Sequence, residues 1–60
     1  MIPAGEIVVD RTYAGASDRS RHVVWVENGY VGYTVAGLLS IVPFRAKLEE
    51  FAAWADRRIA

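Results

Sequence analysis

The dipeptide Asn28-Gly29 stands between two runs of β-branched and aromatic residues, at positions 22–27 and 30–35. A two-residue loop of type I′ needs positive φ at both central positions, which Asn tolerates and Gly adopts freely. The pair therefore predicts a β-hairpin and sets its register. Counting outward places Val26 opposite Val31, Trp25 opposite Gly32, Val24 opposite Tyr33 and His22 opposite Val35. One face then carries Val24, Val26, Val31, Tyr33 and Val35, the expected core. The other carries Trp25 and Tyr30, with the Trp25 indole free to lie over the bare backbone of Gly32.

A chain of 60 residues has room for one domain and buries only about 60% of the surface its unfolded form exposes, so its stability is marginal. With no cysteine, no disulfide supports it. Two Trp, three Tyr and two Phe are left to supply dense packing, helped by any second subunit or partner.

The remaining elements follow from pattern. Residues about 6–13 read as a first strand and 14–20 as a small polar loop. Leu38 to Val42 read as a further strand that Pro43 ends, since Pro has no N–H to give a ladder. From about 44 to 58 the period becomes helical, with Phe44, Leu48, Phe51, Ala55 and Ile59 along one side. Trp54 falls on the flank of that stripe, where it seals a core boundary or meets a partner. The expected fold is α+β: a small antiparallel sheet or SH3-like barrel of three to four strands, with one C-terminal amphipathic helix packed on it.

Seven Lys and Arg balance seven Asp and Glu. No segment is strongly basic, which disfavours nucleic acid unless folding gathers Arg11, Arg19, Arg21 and Lys47 around aromatic residues. Seventeen residues from Asn28 to Phe44 carry no charge, but Asn28, three glycines, Thr34, Ser40 and Pro43 among them argue against a membrane span. The N-terminal residues have neither a basic region nor a long apolar one, and cysteine is absent, so the expected location is the cytoplasm.

Chemistry finds little footing. Asp18, Ser20 and His22 include the residue types of a nucleophilic triad, yet crowd within five positions of a loop and strand start. One His without Cys offers no metal-ligand spacing, and Glu49-Glu50 point about 100° apart on a helix, a solvated pair rather than a catalytic one. Gly29, Gly32 and Gly37 lack the spacing of a phosphate loop. No catalytic residue, metal, cofactor or small-molecule substrate is expected.

Binding is the better expectation, because Trp, Tyr and Arg are enriched at interface hot spots. The candidate partner-binding residues are Trp25 and Tyr30, bordered by Arg19 and Arg21, with Trp54 as a further contact. The partner is a protein or a second copy of the chain, as a homodimer. The alternative is a nucleic-acid-binding small barrel using Arg11, Arg19 and Arg21.

The order of an arginine-containing loop, a Val-rich strand, Asn28-Gly29, an aromatic strand, another strand and then Leu48-Glu49-Glu50-Phe51 in a helix resembles short uncharacterised proteins of phages and mobile elements with a small SH3-like β-barrel. The resemblance, at the level of architecture, implies a non-enzymatic accessory or inhibitory protein that occludes a partner's surface.

Overall fold

The structure, a computed structural model, describes residues 1–16, 19–39 and 41–60. A 3-10 turn at Ala4–Glu6 leads to β1 (Thr12–Ala14), β2 (Arg21–Glu27), β3 (Tyr30–Val35), β4 (Phe44–Lys47), α1 (Leu48–Trp54) and β5 (Arg57–Arg58). The strands form one antiparallel sheet in the order β4-β3-β2-β1-β5. The chain meanders from β1 to β4, packs α1 on one face, and returns with β5 beside β1. The α+β class is as expected, with five strands rather than three or four.

The hairpin turn has the backbone that its residues predict, with φ of 52° at Asn28 and 79° at Gly29. Glu27 pairs with Tyr30, Val26 with Val31 and Trp25 with Gly32. Beyond Trp25 a β-bulge intervenes, and Val23, not Val24, pairs with Tyr33. An extra residue in one strand reverses the side on which every later residue falls. Val23 is therefore fully buried in place of the expected Val24, and His22 lies opposite Thr34 instead of Val35. The Val23 backbone is fixed from its other side as well, accepting from the Asp10 N–H and donating to the Arg11 carbonyl, both at 2.9 Å.

Three other expectations need correction. The first strand is limited to Thr12–Ala14: the chain turns at Asp10, whose φ of 68° is incompatible with an extended ladder, and leaves Val8 and Val9 exposed. The strand expected at 38–42 is a loop among its described residues, and β4 begins after Pro43 instead. In β4, Phe44 and Ala46 share one face while Arg45 and Lys47 share the other, a period of two hidden by residues that also suit a helix. The helix expected from about 44 to 58 consequently starts at Leu48 and stops at Trp54: the Ala55 N–H makes the last helical bond, to the Phe51 carbonyl at 3.0 Å, and the next N–H turns to the sheet. Asp56 donates to the Ala14 carbonyl at 2.7 Å, and Arg57 and Arg58 pair with Ala14 and Tyr13.

Seven helical residues do not hold together by themselves in water. Burial of Phe51 and Ala52 against the sheet holds α1. The core consists of Ile7, Tyr13, Val23, Val31, Phe51, Ala52 and Ala55, with Tyr33, Leu48 and Trp54 packed around it. Phe51 is its centre, meeting the rings of Tyr13, Tyr33 and Trp54 at centroid distances of 5.8, 5.4 and 5.2 Å. Among the described residues no helix is long and apolar enough to cross a membrane.

Tyr13 is fully buried, and its hydroxyl ties down the segment before β1. It donates to the Glu6 carbonyl at 2.8 Å and accepts from the Val8 N–H at 3.0 Å. Tyr13→Phe keeps the ring but strands both backbone groups, so it is expected to cost about 1–3 kcal/mol. A urea titration checks this: the midpoint should fall at unchanged slope, and an unmoved midpoint would show that water replaces the hydroxyl at no cost.

Candidate functional site

Strand pairing sets out the face of the sheet opposite α1 as three rows. Thr12, His22 and Thr34 form one, Trp25, Gly32 and Arg45 the next, and Glu27, Tyr30 and Lys47 the last. The indole of Trp25 lies against Gly32 so closely that a Cβ there would stand 2.0 Å from its Nε1. The glycine thus serves as a seat for the ring, as cross-strand pairing predicts. Beside it, the Arg45 guanidinium sits 4.9 Å from the centroid of the Tyr30 ring, within cation–π range. Trp25, Glu27, Asn28, Tyr30 and Arg45 together line a depression of about 160 Å³.

The other expected contact residues lie elsewhere. Arg21 pairs with Val35 and Tyr13 and falls on the α1 side of the sheet. Its guanidinium is 3.9 Å from the Trp54 ring centroid and 4.9 Å from that of Tyr33. Trp54 is half-buried between Phe51 and the backbone of Gly15, whose added Cβ would come within 2.6 Å of the indole Nε1. It seals the core boundary, the simpler of the two roles its flank position allows. Arg19 is exposed at the foot of the β3–β4 loop and donates to the Ala36 carbonyl at 3.5 Å. Trp25 and Tyr30 are therefore together, while Arg19, Arg21 and Trp54 do not border them. Arg45 is the member that sequence reasoning misses, because a helix from about 44 to 58 would include it. The period-two pattern of Phe44 to Lys47 was the available signal.

The four cations of the nucleic-acid reading are not gathered around one aromatic platform. Lys47 is on β4, Arg11 precedes β1 three places across the sheet, and Arg21 is on the opposite face. Of the triad types, Asp18 lies outside the described residues. His22 instead stands between two residues of the first strand region, with Nδ1 2.8 Å from the Thr12 hydroxyl and Nε2 3.8 Å from the Asp10 carboxylate. The carboxylate is largely exposed, at 88%, so this contact is weak in water, and the arrangement chiefly orients the ring.

A second feature is apolar. In the loop between β3 and β4, Leu39 and Ile41 are fully exposed, Val42 is two-thirds exposed and Leu38 about half. Phe44, the first residue of β4, is 42% exposed while stacking on Tyr33 at 5.8 Å. A larger hollow of about 530 Å³ lies near the N-terminal segment and β5, lined by Ile2, Val8 and Tyr13 and by charges of both signs.

No protein-family model matches this chain, and no curated protein or solved structure matches it with significance.

Proposed function

We propose that this protein is a non-enzymatic binding module, of accessory or inhibitory type, that engages a partner protein through Trp25, Tyr30 and Arg45. The observation that supports this reading is the seating of Trp25 on Gly32 beside a Tyr30 ring covered by Arg45, around one depression. These are the three residue types most enriched where binding energy concentrates. Both aromatic rings are already held by neighbours, which lowers the entropy lost on contact. Glu27 and Lys47 at the edge provide a polar rim of both signs.

The test is affinity capture with wild type, Trp25→Ala and Arg45→Ala, each verified by circular dichroism. A partner held by wild type should be bound at least ~10-fold more weakly by either variant, with each fold intact. Equal retention by both variants would sink the reading. Binding of single-stranded DNA or RNA that falls steeply with salt and needs Trp25 would transfer the face to nucleic-acid stacking.

A further inference from the structure

We infer that the apolar loop between β3 and β4, together with Phe44, is a self-association surface whose occupant is a second copy of this chain. This surface is distinct from the Trp25 face and does not rest on its reading. Leu38, Leu39, Ile41, Val42 and Phe44 follow one another closely in the chain and are all exposed. Together they present on the order of 500 Å² of apolar surface, toward the upper end of what a monomer leaves in water.

Area and charge both point to a second copy. Wholly covered, two such patches bury about 1,000 Å² in all, the lower bound for a specific interface and the size of a weak, reversible one. No charge occurs from Asn28 to Phe44, and the chain's formal net charge is zero. The five apolar side chains bring no charge against their own image across a two-fold axis, Arg19 stands exposed at the foot of the loop, and zero net charge leaves no long-range repulsion between two chains. Homodimer interfaces are the class most dominated by apolar side chains.

Geometry also selects how the copies meet. β4 ends the sheet, and an open edge invites ladder pairing. Arg45 and Lys47 sit on that strand, and cations there would be brought beside their counterparts, the usual guard against edge pairing. The contact is therefore loop against loop, with Phe44 at its base and the sheet not extended. Tyr30 and Arg45 lie on the other side of the sheet and stay open in each copy.

Sedimentation equilibrium from micromolar to millimolar protein tests this, with Leu39→Glu and Ile41→Glu as variants. Both side chains are fully exposed, so the fold should survive, and matching circular dichroism spectra check that it does. Wild type should pass from one chain mass to two. Each variant should raise the dissociation constant at least ~100-fold, whereas Trp25→Ala should leave dimerisation unchanged, which separates this inference from the binding reading. A wild type that stays monomeric, an open-ended aggregate, or variants that dimerise like wild type would each overturn it. Wild type that remains monomeric but sediments with phosphatidylserine vesicles, lost in Ile41→Glu, would assign the loop to a lipid surface instead.

Discussion

Phe51→Ala is expected to leave the chain without a cooperative fold at room temperature. Its ring is 1% exposed and packs on Tyr13, Tyr33 and Trp54, so no single neighbour can collapse into the space it vacates. Truncating a buried Phe to Ala costs about 3–5 kcal/mol. A domain of this length has a total of only about 3–9 kcal/mol, at roughly 0.05–0.15 kcal/mol per residue. Loss of the ring also removes the main anchor of α1 and one aromatic surface facing Arg21. Thermal unfolding followed by circular dichroism, at a fixed protein concentration, decides the matter. A cooperative transition within a few degrees of wild type would mean that Phe51 is not the centre of the core.

Gly32→Val is the second large effect, and it acts on the opposite face. The new Cβ would stand 2.0 Å from Nε1 and 2.2 Å from Cε2 of Trp25, atoms in the middle of the indole rather than at a yielding tip. The ring has to leave its seat. Overpacking of this kind costs about 1–3 kcal/mol, and the partner should be lost as fully as in Trp25→Ala. The indole N–H resonance of Trp25 should move while that of Trp54 stays in place. A double-mutant cycle sharpens the test: once Trp25 is Ala, Gly32→Val should be close to neutral, since Val suits a strand and meets no ring. Additive costs in the two backgrounds would show that the valine disturbs the strand itself.

The sequence is legible where one residue's conformational limits decide the outcome. Asn28-Gly29 sets the turn, and the turn sets the pairing that puts Trp25 on Gly32. It ceases to be legible at Val24, where a single inserted residue reverses the strand's sides without a glycine or proline to mark it. Phe44 to Lys47 show a different difficulty. Their alternation is compatible with a strand and their composition with a helix, and the open edge beside β3 settles the competition. β5 is legible to neither rule, because two arginines become a strand only when β1 is there to receive them. Arg45 was hidden by the same ambiguity, since its place beside Tyr30 depends on β4 being extended.

The return of β5 to β1 has consequences for the speed of folding. Tyr13 meets Arg58 and Ala14 meets Arg57, joining opposite ends of the chain, while the N-terminal amine reaches the Asp56 carboxylate at 3.5 Å. The β2–β3 hairpin is local and can form within about 1–10 μs. The last ladder must first bring distant segments together, and the entropy of that closure is met before its few hydrogen bonds form. The hairpin is thus an early event and the seam between β1 and β5 a late one, so the two least conspicuous strands of the sheet are the ones that close the fold.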